Sequence, residues 1–182
     1  RLLAYSGIAH IGYMLVGLAA VSASGTAMVL FYLVAYVFAN MGAFLVVEAV
    51  AQSERSVNLL ALRGLAQRSP LLALAMLLFL LSLGGIPFVA GFWAKLYVFW
   101  AAAQVGLYWL VVVGAVLTVV ALFYYLTLAK RMYIDAPARQ EPVPVPRALA
   151  LSLLLCALGV VTLGVYPKPL VMLALRATSG LF

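Results

Sequence analysis

One interrupted apolar stretch constrains the fold of this chain more than any other feature. Residues 71–103 are almost entirely apolar, but Gly84, Gly85 and Pro87 stand near the middle and Lys95 follows shortly after them. A helix interior disfavours Gly and excludes Pro. Inside a membrane the freed backbone groups must be satisfied by protein or by a watery cavity. A lysine at that depth is costly unless it is solvated or paired. The stretch therefore predicts an ion pathway beside a broken helix.

Composition places the chain in a membrane. Hydrophobic residues make up 68% of it and charged residues only 8%, whereas soluble domains carry about 25% charged residues. We therefore predict an all-α, polytopic membrane protein that forms a single membrane domain over residues 1–182. The chain begins at Arg1 without a recognisable signal peptide, so we expect a fragment of a longer protein. A basic run with interleaved aromatics does not occur, so nucleic acid is not an expected partner.

Cysteine and histidine usage narrows the chemistry. Cys156 is the only cysteine and His10 the only histidine. An intrachain disulfide is impossible, and the chain alone cannot supply a pair of histidine ligands to a haem or a zinc ion. We expect no metal and no cofactor in this chain.

Hydropathy predicts about five transmembrane helices. The expected spans are 2–23, 26–50, 71–103 with a break at 84–87, 107–129 and 148–166. Ser24-Gly25 is the expected turn between the first two spans, and residues 59–62 form a candidate interfacial helix. The proline-rich loop before the last span should be extended and exposed to solvent, and a short apolar tail should follow the last span.

Loop charges favour five spans over six. The alternative splits 71–103 into two short spans and places the charged loops on opposite sides. With five spans, most basic residues fall on one side, which the positive-inside rule makes cytoplasmic. These residues are Arg1, Arg55, Arg63, Arg68, Lys130, Arg131, Arg139 and Arg147.

Three motifs in order resemble the antiporter-like membrane subunits of respiratory complex I, the proton-translocating NADH–quinone oxidoreductase. They are RLLAYSGIAHIGY at 1–13, FYLVAYVFANMGAF at 31–44 and LGGIPFVAGFWAKLYVF at 83–99. Within that family the second and third motifs are most similar to the N-type branch. The L-type and M-type branches usually have histidine and lysine where this chain has Tyr32, Tyr36 and Asn40.

The resemblance implies a particular architecture and set of partners. This chain would be the C-terminal part of a longer subunit and would hold most of the second of two inverted half-channel repeats. Its partners would be the lipid bilayer and the other complex I membrane subunits, both antiporter-like and small. NADH, FMN, iron–sulfur clusters and quinone would bind in partner subunits.

Lys95 is the strongest candidate for a proton carrier. Its midspan position argues against the alternative, a lysine that snorkels to the interface. His10 can shuttle protons near neutral pH, or it is a buried, hydrogen-bonded residue that holds two helices together. Ser6 lies four residues earlier on the same helix face and either extends a water chain or bonds back to its own helix.

A polar stripe on the second span supplies further candidates. Tyr32, Tyr36 and Asn40 recur every four residues and line either the channel or an interhelical hydrogen-bonding seam. Glu48, near the end of the same helix, is a candidate proton entry or exit, or an ordinary interfacial carboxylate. Gly84, Gly85 and Pro87 are assigned to the helix break itself.

These observations predict proton translocation coupled to quinone reduction in other subunits, in the inner membrane of a bacterium. One alternative is a subunit of a multi-subunit Na⁺ or K⁺/H⁺ antiporter, which shares these helices. A purely structural membrane scaffold is the second alternative, against which the break and Lys95 argue.

Overall fold

The computed structural model describes residues 2–54, 59–137 and 140–180, and within those ranges every regular element is helical. Arg1, Arg55 and Arg139, counted above among the loop charges, lie outside the described residues. The elements are α1 (Leu2–Leu18), α2 (Ala23–Glu54), a 3₁₀ helix (Leu59–Leu62), α3 (Leu65–Arg68), α4 (Pro70–Gly84), α5 (Ala90–Gln104), α6 (Tyr108–Tyr133), α7 (Arg147–Val165) and α8 (Lys168–Thr178). The prediction of an all-α fold is confirmed.

Three helices of the described part, α2, α6 and α7, are long and apolar enough to cross a membrane alone. Helices α1 and α4 are shorter and apolar. Helix α2 is central, because α1, α4, α5, α7 and α8 all pack against it. Small buried residues on α2 allow this close approach of several helices. They are Ala27, Ala35, Ala39, Gly42, Ala43 and Ala49.

Helices α4 and α5 together form the broken span. Helix α4 begins directly after the connector that follows α2. Helix α5 leads to the opposite end of the bundle, where Val98 packs against Gly17 near the end of α1. There Phe99 also packs against Gly114 near the start of α6. The two half-helices therefore run from one end of the bundle to the other.

The turn predicted at Ser24-Gly25 is wrong. The chain turns before Ala23, and Val21 there has a positive φ of 43°. The Ser22 hydroxyl accepts the Gly25 N–H at 3.0 Å, as an N-cap serine does. Ser24 and Gly25 thus lie in the first turn of α2. The N-cap formed by Ser22 decides where the helix starts, and Gly25 is accommodated inside the first turn.

Most of the described proline-rich loop is exposed, as predicted, but part of it is held against the bundle. Val143 is buried, and its N–H donates to the Ser69 hydroxyl at 2.9 Å. Arg68 donates to the Glu141 carbonyl at 2.8 Å and forms an ion pair with Glu54 at 2.7 Å. The buried Arg68 needs hydrogen-bond acceptors. The extended, proline-containing loop supplies one of them, the Glu141 backbone carbonyl, and is held in place by this bond.

The connector after α2 and the loop after α6 therefore lie at the same end of the bundle. Arg63 and Asp135 form a second ion pair across them at 3.0 Å. We call this end, with Glu54, Arg63, Arg68 and Asp135, the charged end. The predicted apolar tail forms a helix, α8. Its Thr178 hydroxyl donates to the Ala23 carbonyl at 3.1 Å, at the end of the bundle opposite the charged end.

Candidate functional site

The helix break has a defined backbone structure. Helix α4 ends at Gly84, and Gly85 adopts a left-handed conformation with φ 83°. The N–H groups of Gly85 and Ile86 bond back to the Ser82 and Leu81 carbonyls, which is the Schellman arrangement that glycine favours at a helix C-terminus. Pro87 then prevents the helix from continuing. The break thus follows from local backbone chemistry.

Lys95 lies directly against this break. Its side chain is 5% exposed, and its amine donates to the Leu83 carbonyl at 2.9 Å and to the Gly84 carbonyl at 3.1 Å. Carbonyls in the last turn of a helix have no intrahelical partner and carry the negative end of the helix dipole. The broken helix therefore supplies the acceptors that a buried amine requires.

Close packing of α5 on α4 positions the amine. A Cβ on Gly91 would lie 1.8 Å from the Ser82 carbonyl oxygen, so only glycine fits at this position. The Gly91 N–H donates to the Ser82 hydroxyl at 3.1 Å, which satisfies one of the unpaired donors at the start of α5. Lys95, one turn further along α5, is thereby placed against the carbonyls of Leu83 and Gly84.

One tyrosine of α1, Tyr13, contacts both Lys95 and His10. The Lys95 amine lies 4.9 Å from the centroid of the Tyr13 ring, a cation–π distance. The His10 ring lies beside the same tyrosine, with its centroid 6.0 Å from that of Tyr13 in an edge-on arrangement. Lys95, Tyr13 and His10 thus lie in one buried row.

His10 is the centre of a hydrogen-bonded group drawn from three helices. Its Nδ1 lies 2.8 Å from the Tyr32 hydroxyl of α2, and its Nε2 lies 3.4 Å from the Tyr125 hydroxyl of α6. The Tyr125 hydroxyl in turn hydrogen-bonds Ser6. Both ring nitrogens therefore have a hydroxyl partner, whichever of them carries the proton.

We call the set Lys95, Tyr13, His10, Tyr32, Tyr125 and Ser6 the polar row. The residues of α1 share one face because they are spaced as i, i+4 and i+7. That spacing could have identified Tyr13 from the sequence. Tyr125 carried no such signal, since it lies among apolar residues of α6 and reaches the row only through tertiary packing.

The predicted stripe on α2 is only partly joined to the polar row. Tyr32 bonds to His10, and the Tyr36 ring stacks at a tilt on His10 with centroids 4.9 Å apart. The Asn40 side-chain oxygen is buried and has no hydrogen-bond partner among the described residues. Glu48 is exposed and accepts a hydrogen bond from the Gln52 side chain at 2.8 Å. The structure therefore does not bring Asn40 and Glu48 into the row.

Metal ligation finds no support in the part of the chain that the structure covers, because residues 2–54, 59–137 and 140–180 contain no group of three or more His, Cys, Asp or Glu able to hold an ion. Cys156 is buried and unpaired by a disulfide.

The broken helix, the lysine at its break and the polar row define an antiporter-like membrane protein. The chain belongs to the family described as the NADH:quinone oxidoreductase/Mrp antiporter transmembrane family, whose model matches residues 1–121. The resemblance inferred from the three motifs is confirmed.

Several curated relatives carry the name NADH-quinone oxidoreductase subunit N. The protein from Desulfitobacterium hafniense is 42% identical over 197 residues, which is 100% of this chain and 40% of the relative. The protein named subunit N 2 from Sorangium cellulosum is 45% identical over 185 residues, 100% of this chain and 37% of the relative. The chain thus spans only about 40% of the length of these relatives.

Solved structures show the same fold. A chain of respiratory complex I from Thermus thermophilus with bound aureothin matches with TM-score 0.82 and 36% identity, covering 94% of this chain and 39% of that chain. A chain of the Mrp complex from Dietzia sp. DQ12-45-1b matches with TM-score 0.83 and 23% identity, covering 98% of this chain and 42% of that chain. At that identity the second match shows the fold alone.

Proposed function

We propose that this chain is part of a subunit N of a bacterial NADH–quinone oxidoreductase and that it translocates protons across the membrane. The observation that carries the proposal is the Lys95 amine, held at a helix break at one end of a row of hydroxyl and imidazole groups. Relatives at 40–45% identity that bear the subunit N name support the assignment of the complex.

Lys95 is suited to take up and release a proton without losing its place. Burial disfavours a charged amine, whereas the unpaired carbonyls of Leu83 and Gly84 favour it. A neutral amine retains two N–H donors, so both carbonyl hydrogen bonds can persist in either protonation state. A modest change in nearby charge can then shift the protonation of Lys95 while the broken helix keeps its geometry.

His10 and the hydroxyls connect Lys95 towards the charged end. Ser6, Tyr125, His10 and Tyr32 are joined by hydrogen bonds, which is the arrangement that proton transfer between neighbouring groups needs. We route the step between His10 and Lys95 past the Tyr13 ring, which contacts both residues. A proton that passes this point requires water beside the ring or a movement of Tyr13.

Residues of α2 extend the path in this proposal. Tyr36 contacts His10 directly, and Asn40 offers a buried oxygen that lacks a partner among the described residues. Glu48 lies further along α2 towards the charged end and serves as the proton entry or exit. We assign the charged end to the cytoplasm by the positive-inside rule, in the inner membrane of a bacterium.

Redox chemistry is assigned to other subunits. NADH, FMN, iron–sulfur clusters and quinone bind there, and the energy of quinone reduction reaches this chain through charge and conformation. This chain forms no covalent bond in the cycle. Its partners are the other antiporter-like and small membrane subunits, together with the surrounding lipid.

The second candidate is a subunit of a multi-subunit cation/proton antiporter. It is favoured by the family description, which includes the Mrp antiporters, and by the fold match to the Mrp complex. Transport that depends on Na⁺ or K⁺ would support it. Co-purification with flavin and iron–sulfur subunits would support the oxidoreductase instead.

The test is Lys95→Ala in the full-length protein, with Lys130→Ala as the matched control at the charged end. We expect assembly to survive and proton pumping with its coupled NADH–quinone turnover to fall sharply in Lys95→Ala alone, because the row loses its terminal proton-binding group. Wild-type pumping in both variants would refute the assigned role of Lys95.

A further inference from the structure

The C-terminal end of α7 meets the helix break. Helix α7 ends at Val165, and Gly164 is buried in its last turn. A Cβ on Gly164 would lie 2.4 Å from the Phe88 carbonyl oxygen and 2.5 Å from the Val89 Cα. Phe88 and Val89 are the last two residues of the segment that joins α4 to α5. The backbone of α7 therefore packs directly on the backbone of the break.

The break needs outside support because its backbone is strained at Phe88. Phe88 has a φ of 73°, in the left-handed region that costs free energy for any residue except glycine. Its side chain is 83% exposed, so burial of the ring does not offset this cost. A strained backbone persists only where surrounding structure holds it, and the contact with Gly164 is one of the interactions that do so.

Trp93 joins α5 to the same point of α7. Its indole N–H donates to the Gly164 carbonyl at 2.7 Å. Carbonyls in the last turn of a helix have no intrahelical partner, so the indole satisfies an acceptor at the end of α7. The indole ring also stacks on the ring of Tyr97, one turn further along α5, with centroids 5.6 Å apart. Hydrogen bonding and stacking together fix the orientation of Trp93.

Trp93 and Lys95 hold α5 from two directions. Residues two apart on a helix point about 200° apart around its axis, so these side chains project from nearly opposite sides of α5. The Lys95 amine bonds to carbonyls at the end of α4, and the Trp93 indole bonds to a carbonyl at the end of α7. Because both residues lie within one turn of the same helix, a displacement of α5 at Trp93 also displaces Lys95.

We propose that Trp93 is a positioning residue for Lys95 and that its hydrogen bond to Gly164 lets α7 set the place of the Lys95 amine. The consequence for proton pumping rests on the proposed function. The placement of the amine does not, and it can be measured by itself.

The first test measures the reactivity of the Lys95 amine in the full-length protein in its native membrane complex. Acetic anhydride acylates amines, and mass spectrometry gives the rate at Lys95 relative to the rate at the exposed Lys130. Trp93→Phe loses the N–H but keeps a ring to stack on Tyr97, and Gly164→Ala disrupts the same contact from α7. We expect each variant to raise the ratio about fivefold, the factor that one hydrogen bond of ordinary net strength is worth.

Matched controls separate positioning from general destabilisation. Trp100→Phe makes the same change at an exposed site of α5. Gly159→Ala adds the same methyl group to α7 away from the break, where it would lie 2.6 Å from the Phe38 ring. We expect both controls to keep the wild-type ratio. A wild-type ratio in Trp93→Phe, or an equal rise in either control, would overturn the proposal. If Gly164→Ala fails to assemble, the comparison of Trp93→Phe with Trp100→Phe decides the question.

The second test measures protons pumped per quinone reduced in membrane vesicles. We expect a lower value for Trp93→Phe than for Trp100→Phe. A raised acylation ratio with wild-type pumping would support the positioning of the Lys95 amine and refute its role as proton carrier. A wild-type acylation ratio would refute the positioning and leave the proposed function standing, so the two failures are distinct.

Discussion

Gly91→Ala tests whether the packing of α5 on α4 positions Lys95. The added methyl carbon would lie 1.8 Å from the Ser82 carbonyl oxygen, and real Cβ contacts are essentially never under 3.0 Å, so the two helices must separate by about 1.2 Å. Overpacking of this kind costs about 1–3 kcal/mol. The same separation would lengthen the 2.9 Å bond from Lys95 to the Leu83 carbonyl beyond hydrogen-bonding distance.

Two assays on the full-length protein follow from this geometry. We expect Gly91→Ala to have a lower thermal midpoint in detergent than the wild-type protein. In membrane vesicles it should pump fewer protons per quinone reduced, although Lys95 is still present. Gly180→Ala is the control, because a Cβ at Gly180 meets no atom within 4 Å. If Gly91→Ala matches the control in both assays, the claim that close packing of α5 on α4 positions Lys95 is refuted.

Two further predictions concern the polar row and the charged end. Tyr125→Phe removes the hydroxyl that joins Ser6 to His10, so we expect slower pumping with a stability loss of about 1–3 kcal/mol; pumping at the wild-type rate would exclude Tyr125 from the path. Arg68→Ala removes a buried guanidinium that pairs with Glu54 and donates to the Glu141 carbonyl, and should destabilise the protein by about 1.5–3 kcal/mol. The half-exposed ion pair of Arg63 should contribute at most about 1 kcal/mol, as measured in Arg63→Ala. Comparable thermal midpoints for the two arginine variants would contradict this ranking.

Local chemistry explains which expectations succeeded. The helix break near 84–87 depends on the left-handed backbone of Gly85 and on the missing N–H of Pro87, both of which are intrinsic to the residues. Apolar composition likewise predicted the all-α fold of the described residues. By contrast, the turn at Ser24-Gly25 was misplaced because Ser22 caps α2, and two start signals two residues apart are hard to rank without the structure.

Long-range contacts explain what could not be foreseen. The proline-rich loop was predicted to be extended and exposed, and the sequence did not indicate that Arg68 and Ser69 bind it over more than seventy residues of sequence separation. Tyr125 reaches His10 and Ser6 across separations of 115 and 119 residues. No local sequence pattern indicates which helices become neighbours, so Tyr125 was absent from the site predicted from the sequence.

The sequence by itself determined the membrane environment, the broken helix and the presence of a lysine beside the break, because hydropathy and backbone restrictions act over a few residues. Only the tertiary structure decided that the Lys95 amine is held by the Leu83 and Gly84 carbonyls and that Tyr13 contacts both this amine and the His10 ring. The physical reason is that a buried polar group takes whichever partners the packed helices bring within hydrogen-bonding distance, and that choice belongs to the whole bundle.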